Sequence, residues 1–369
     1  MKNTLLLLMT PNMSLKKWND LGQLSREMWY YRELCHKADM NLIIYSYGRN
    51  DQLFLKDFPE AQVLCMHSWI PAGIPFRLQN LIYNIVSLFI YRKYFKKVAL
   101  SKTNQFTASK FGLLLKLFHK TPLVIRMGFY HSHFKKISLY KRILEKISFR
   151  LCDLILTTSA EAAEFIIGTY KVSPGKILSI CNSIDLNKFR PRHTLKEYDI
   201  LFVGRLEKVK NIELMMLVIN SVKLKTLIIG KGSLAPLIKK SMESNPMIEW
   251  RERVDNIDLP EYYNKSKCFL ILSKYEGNPK ALLEAMACGI PGIGAPVPGI
   301  RECIQPNFSG ILVNSNQEDI AAQILELCSN NDKAVFLGHN AFAWVQNQGD
   351  YVKNIGREVG LYSKLLTHN

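Results

Sequence analysis

The chain has 369 residues, of which 48% are apolar and 22% charged, and its formal net charge is +18. That is enough apolar material for two ordinary domains with real cores, and it excludes a disordered chain. Eight cysteines, at 35, 65, 152, 181, 268, 288, 303 and 328, are scattered without a CxxC pair. This excludes a disulfide framework and a zinc site, and it points to free thiols in a reducing cytosol.

The first apolar run, residues 5–9, is too short for the core of a secretory signal, and no small-residue cleavage site follows it. It reads as the first strand of an α/β domain. Further strands are expected at 41–46, 61–66, 98–101, 123–127, 154–158 and 177–181, with helical patterns such as 20–36 between them. The run 79–91 is apolar but broken by Asn80 and Asn84, and it is too short to span a bilayer. A buried or interfacial helix is expected there.

Charge is concentrated in this half. Residues 1–180 hold 26 basic and 11 acidic side chains, and residues 61–150 hold 16 basic ones against Glu145 alone. Such crowding suggests an anionic partner: membrane, lipid phosphate or nucleic acid. Residues 134–151 form a helical pattern with two stripes. Ile137, Tyr140, Leu144, Ile147 and Leu151 share one face. Lys135, Lys136, Arg142, Lys146 and Arg150 share the other, with Leu139 and Ile143 among them. Two readings stand: a core-packed helix with a solvated charged face, or a face resting on anionic lipid.

A linker, 182–197, contains Pro191, and then the alternation restarts with strands at 199–204, 226–230, 247–250, 268–273, 290–295 and 311–313. A final helix is expected at 351–366. Strand–helix alternation implies parallel sheets with helices on both faces. Two such series joined by a hinge imply two Rossmann-like domains facing a cleft.

The second series carries the chemistry. Leu201-Phe202-Val203-Gly204-Arg205-Leu206 ends a strand in a turn, and Lys210 precedes a helix that Asn211 is placed to cap. An Arg fork and a Lys point charge at a strand end suit a diphosphate. Further on comes Glu276-Gly277-Asn278-Pro279-Lys280-Ala281-Leu282-Leu283-Glu284-Ala285-Met286-Ala287-Cys288-Gly289-Ile290-Pro291. Asn278 is a good N-cap, Pro279 suits the first helical position, and Gly289 suits the stop. Glu284 is the lone charge in an apolar helix and must reach solvent, a partner or a ligand. The helix N-terminus attracts phosphate. Carboxylates for hydroxyls beside a phosphate cradle suggest a sugar nucleotide.

These pieces in order resemble the retaining glycosyltransferases of family 4, with the GT-B fold. Cys181-Asn182-Ser183-Ile184-Asp185…Phe189 resembles the family's hinge segment. Val203-Gly204-Arg205-Leu206…Lys210 resembles its G-R-L…K segment, and Ile229-Gly230-Lys231-Gly232 its G-x-G. Glu276…Glu284 matches E-x7-E, and Pro298-Gly299-Ile300-Arg301-Glu302 resembles the G-x-x-E loop. The resemblance implies an N-terminal acceptor domain, residues 1–185, and a C-terminal donor domain, residues 186–349. A last helix, about 350–369, is expected to pack back on the first domain. It also implies roles. Gly204, Arg205 and Lys210 would bind the donor diphosphate. Glu284 would hold the nucleotide ribose, and Glu276 would face the donor sugar and the developing charge. Asn278, Pro279, Lys280 and Ala281 would hold phosphate and sugar, with the nucleobase near Arg253 and Val254.

The family's Gly-rich loop after the first strand is missing between Thr10 and Leu21. Gly22 is either its remnant at the donor phosphate or an ordinary helix-start glycine, and Arg26 one turn on either supplements that site or is solvated. The histidine that relatives place after an N-domain strand maps to His131, with His133 and Arg126 as rivals. No D-x-D triplet occurs, so no metal and no cofactor are expected. The implied function is retaining transfer of a sugar from a nucleotide-diphosphate sugar to a cell-envelope glycan acceptor, lipid-linked, at the cytoplasmic face of the membrane. The alternatives are a GT-B enzyme acting on a small soluble acceptor and a non-catalytic nucleotide-sugar-binding module. Nucleic-acid binding rests on charge alone and ranks last.

Overall fold

The computed structural model describes residues 2–128, 138–314 and 316–367. The chain divides into two compact units, residues 1–180 with 355–369, and residues 181–354. Each is an open parallel sheet with helices between its strands.

The first sheet holds β1 (Asn3–Leu8), β2 (Met40–Tyr45), β3 (Ala61–Leu64), β4 (Val98–Thr103), β5 (Leu123–Met127), β6 (Leu154–Thr157) and β7 (Ile177–Ser179). Their order is β3-β2-β1-β4-β5-β6-β7, and every pairing is parallel. Leu5 to Leu8 are buried on both faces of β1, as a central parallel strand requires. All seven expected strands form, with ends moved by a few residues at most.

Two local devices shape the start of this unit. A short helix, Leu15–Asp20, follows β1, and its N-terminus is already occupied by a protein anion. The buried Asp51 carboxylate accepts the N–H groups of Leu15 at 2.6 Å and Lys16 at 3.2 Å, and also the Ser46 hydroxyl. Gly22, at φ 67°, then ends that helix: its N–H reaches Asn19 O at 2.9 Å, and the next N–H, of Gln23, reaches Trp18 O at 2.7 Å. This is the left-handed stop that glycine supplies without strain.

The helix Tyr351–Thr367 belongs to the first unit from Ile355 onward. Its buried Glu358 carboxylate accepts from Lys102 Nζ on β4, from Tyr362 OH, and from Tyr30 OH at 2.5 Å. The ammonium also lies 5.1 and 5.3 Å from the ring centres of Tyr30 and Tyr31.

The Phe76–Ile90 helix buries Gln79, Tyr83, Ser87 and Leu88 and leaves Leu78, Leu81, Ile85 and Phe89 exposed. Asn84, one of the two residues that break its apolar run, accepts from Tyr45 OH and Tyr47 OH. Of the two readings of the helix Leu139–Leu151, the core-packed apolar stripe is the one that fails. Its core side is Glu145, Ser148 and Phe149, while Tyr140, Ile147 and Leu151 are exposed along with the basic stripe. Buried polar partners decide this. Tyr170 OH donates to Glu145, and the hydroxyls of Ser109 and Ser148 meet at 3.2 Å.

The second sheet holds β8 (Tyr198–Val203), β9 (Thr226–Ile229), β10 (Ile248–Arg251), β11 (Ser266–Ile271), β12 (Gly292–Gly294) and β13 (Gly310–Leu312), in the order β10-β9-β8-β11-β12-β13. The order reverses between β8 and β11, and open α/β sheets bind ligands beyond the carboxyl ends of the strands at such a switch point.

Candidate active site

The loops after the two switch-point strands carry Arg205, Lys210 and Glu276. β8 ends into Gly204 and the exposed Arg205. Gly230, at φ 147°, lets β9 pass so close that a Cβ there would lie 1.8 Å from Gly204 O. Gly204 N–H bonds Ile229 O and Leu206 N–H bonds Lys231 O, both at 3.0 Å, so the Arg205 turn is pinned on either side. A single turn of 3-10 helix, Lys208–Lys210, then delivers Lys210.

β11 supplies the opposite wall. Lys274 N–H bonds Val209 O at 2.9 Å, which ties the loop after β11 to the Lys210 turn. Glu276 Oε1 accepts from Lys210 Nζ and, at 2.8 Å, from the buried Ser273 hydroxyl. Gly299 presses on this loop from the other side: a Cβ there would lie 2.4 Å from Gly277 O and 2.6 Å from Glu276 O. Glu276 is therefore held by a cation, a hydroxyl and a backbone contact.

Glu284 lies in the helix Lys280–Ala287, where the residue is only 2% exposed and its carboxylate accepts from Tyr263 OH at 2.9 Å. Tyr263 in turn stands edge-on to Phe189 of the hinge segment, with centroids 6.1 Å apart. The partner that the lone charge required is thus a buried tyrosine. The helix ends as expected, with Gly289 at φ 73°.

Its start differs from the expectation. Pro279 is the capping residue, and Asn278 makes no capping bond. The Asn278 side chain is claimed by the hinge segment instead. Its Oδ1 accepts from Asn182 N–H at 2.8 Å, and Asn182 Nδ2 returns a bond to Asn278 O at 2.6 Å. The helix then begins at Lys280, leaving first-turn N–H groups, Ala281's among them, with no partner inside the helix. Asn211 likewise precedes the Ile212–Val222 helix in a left-handed conformation, φ 56°, without a side-chain cap bond. Val254 is half-buried against the core that contains Tyr263, and Arg253 pairs with Asp255 at 2.9 Å on the surface.

Of the first unit's candidates, Gly22 is the stop of the Leu15–Asp20 helix described above. Arg26 Nε lies 3.5 Å from Glu27. Arg126 is on β5, with its backbone N–H on Thr103 Oγ1 at 2.9 Å. Burial opposes its charge, but Tyr31, Glu27, Tyr30 and Glu358 together outweigh burial and hold its pKa above the ordinary value. His131 and His133 lie outside the described residues. Among the described residues, no group of three or more His, Cys, Asp or Glu side chains is placed to hold a metal.

Sequence reasoning missed three positioning residues. Ser273, Tyr263 and Asn182 orient Glu276, Glu284 and Asn278. Ser273, three residues before Glu276, was visible in the sequence, but the other two act from 21 and 96 residues away.

Two open parallel sheets, one with this charged crevice at its switch point, define the GT-B class. Solved structures agree on the fold. Sucrose-phosphate synthase from Thermosynechococcus elongatus matches with a TM-score of 0.81 over 100% of both chains at 18% identity. Anabaena HepE in complex with UDP matches with 0.77 over 98% of this chain and 100% of that one at 15% identity. The model for glycosyl transferases group 1 matches residues 183–344, and that for glycosyltransferase family 4 matches residues 35–188. The chain belongs to the group 1 glycosyltransferases. A Campylobacter jejuni N-acetylgalactosamine-N,N'-diacetylbacillosaminyl-diphospho-undecaprenol 4-alpha-N-acetylgalactosaminyltransferase is 30% identical over 206 residues, 53% of this chain and 56% of that one. The aligned stretch spans about half to two thirds of the curated relatives it matches first.

Proposed function

We propose that the protein is a retaining glycosyltransferase that moves a sugar from a nucleoside-diphosphate sugar to a cell-envelope glycan carried on a lipid diphosphate. The observation that carries this is the crevice between β8 and β11, where Arg205, Lys210, Glu276 and the N-terminus of the Lys280–Ala287 helix converge. Support for the partners comes from the relative acting on a diphospho-undecaprenol glycan and from the structural neighbour holding UDP.

In this reading the donor's C1–O bond breaks, and the nucleoside diphosphate leaves with the electron pair. Arg205, Lys210 and the helix N–H groups are preorganised for the charge that builds on it. The acceptor hydroxyl bonds C1 on the face the diphosphate left, and its proton passes to the departing phosphate oxygen. Glu276 exchanges Lys210 for the donor: when the diphosphate takes the ammonium, the carboxylate turns to sugar hydroxyls and to positive charge at C1. Glu284, oriented by Tyr263, holds the ribose. No metal or cofactor is part of this proposal.

The acceptor and membrane side belongs to the first unit. Among the described residues, no helix is long and apolar enough to cross a membrane. The proposed association is peripheral, at the cytoplasmic face, through exposed apolar and basic side chains such as Phe89 and Leu139 with Arg92 and Arg142.

The test is transfer by purified protein from a panel of UDP-sugars to a polyprenyl-diphosphate glycan, with and without chelator, and the product's anomeric configuration read by NMR. Retained configuration with chelator-resistant turnover is expected. An inverted product, or activity abolished by chelator and restored by magnesium, overturns the mechanism. Donor binding without turnover on any acceptor favours the non-catalytic alternative.

A further inference from the structure

The helix Leu139–Leu151 raises a question the sugar chemistry does not answer. It exposes Leu139, Tyr140, Ile143, Ile147 and Leu151, yet it also carries Arg142, Lys146 and Arg150 at spacings of four. Like charges four apart on a helix repel, so such a row weakens the helix unless an anion answers it. The nearby acid does not: Glu145 points inward and accepts from Tyr170 OH. Lys176 is engaged as well, but with carbonyls, reaching Cys152 O at 3.0 Å and Arg150 O at 3.2 Å, where it satisfies the helix end. Among the described residues, Arg142, Lys146 and Arg150 have no ion-pair partner.

The same three cations line an open cavity of about 830 Å³, shared with Leu139, Ile143 and the segment from Thr169 to Ser173. Its place in the fold separates it from ligand-binding edges. Thr169 to Ser173 ends the Ala160–Tyr170 helix and leads back to the start of β7, so this wall lies at the amino ends of the strands. The crevices that bind ligands in open α/β sheets lie at the carboxyl ends.

We infer that this cavity is a site for the phosphate headgroup of an anionic phospholipid, with Arg142, Lys146 and Arg150 on the phosphate. Leu139 and Ile143 at its rim enter the acyl boundary, joined by Tyr140 and Ile147. The occupant follows from the lining. A free phosphate satisfies the cations but leaves the apolar rim in water, whereas an anionic amphiphile satisfies both. The inference rests on the peripheral-membrane part of the proposed function and narrows it from a charged surface to one site.

The experiment is co-sedimentation of the full chain with vesicles of phosphatidylcholine alone, and with phosphatidylglycerol added. The variant Arg142→Ala/Lys146→Ala/Arg150→Ala is compared with a control of equal charge loss, Lys37→Ala/Lys56→Ala/Lys93→Ala, on exposed lysines of the same unit outside the cavity. Thermal melts confirm that both variants fold. The cavity variant is expected to lose about 100-fold in affinity for the anionic vesicles, and the control under about fivefold. Equal losses overturn the site while leaving the membrane reading intact. No binding by the unaltered chain overturns both. Release from the vesicles by millimolar inorganic phosphate assigns the cavity to free phosphate and overturns the lipid.

Discussion

Lys210 and Glu276, 66 residues apart in sequence, form an ion pair at the carboxyl end of the second sheet, with Ser273 as a third partner. Both side chains are mostly shielded, at 18% and 14% exposure. The two charges thus answer one another in the crevice, and in the proposed function a ligand divides them, the ammonium to phosphate and the carboxylate to sugar.

Lys210→Ala is therefore expected to lower turnover by about 100-fold or more, since it removes a preorganised cation from the leaving group. Arg205→Ala should behave alike, with less effect on the melting temperature because Arg205 is exposed. Initial rates and thermal melts of the purified variants check both, and unchanged turnover would remove the diphosphate assignment.

Glu284 and Tyr263 separate affinity from stability. Glu284→Gln keeps an acceptor for the Tyr263 hydroxyl, so it should melt near the parent temperature while binding UDP more weakly. Glu284→Ala takes this acceptor from a buried hydroxyl, at a cost of about 1–3 kcal/mol. Melts with and without UDP read both effects, because a ligand that binds only the folded state raises stability.

Gly299→Ala probes the support behind Glu276. The added methyl meets the backbone oxygens of Gly277 and Glu276, so the loop must shift. A stability loss of about 1–3 kcal/mol is expected, with a fall in kcat larger than any change in UDP affinity. Wild-type kcat in a folded variant would show that this backbone contact does not set the position of Glu276.

The buried Lys102–Glu358 pair predicts a pH dependence. Burial disfavours the Glu358 carboxylate, but Lys102, Tyr30 and Tyr362 outweigh it and hold its pKa below the ordinary value. A carboxyl with a lowered folded pKa adds stability above its unfolded pKa of about 4.3, and that stability is lost as pH falls through the lower folded value. Glu358→Gln should flatten the acid limb of the stability profile. Glu358→Ala should cost about 3–5 kcal/mol by stranding the ammonium, and Lys102→Met in the same chain should recover part of it. Denaturant titrations across that range measure each.

Most strands were legible from a short apolar run near a turn residue, as in β8, where Val203 gives way to Gly204. The places of Arg205, Lys210, Glu276 and Glu284 in the fold were legible because each sits within a few residues of a strand or helix end. What escaped was set by distant partners. Asn278 has the chemistry of a cap, but Asn182 claims its side chain from 96 residues away. The Leu139–Leu151 helix has a tidy apolar stripe, yet it turns Glu145 inward because Tyr170 waits there with a hydroxyl. Periodicity records which residues are apolar, not which polar ones find a buried partner.

The route of the chain also orders events at the ribosome. Lys102 is made early, but its counter-charge arrives only with residue 358, after the whole second unit has been synthesised. Domains generally fold as units as they emerge. The second unit is contiguous in sequence, while the first is complete only with residues 355–369, which bring Glu358 to Lys102. The first unit is therefore split in sequence around the second, and a chain that stops before residue 358 lacks the counter-charge of Lys102.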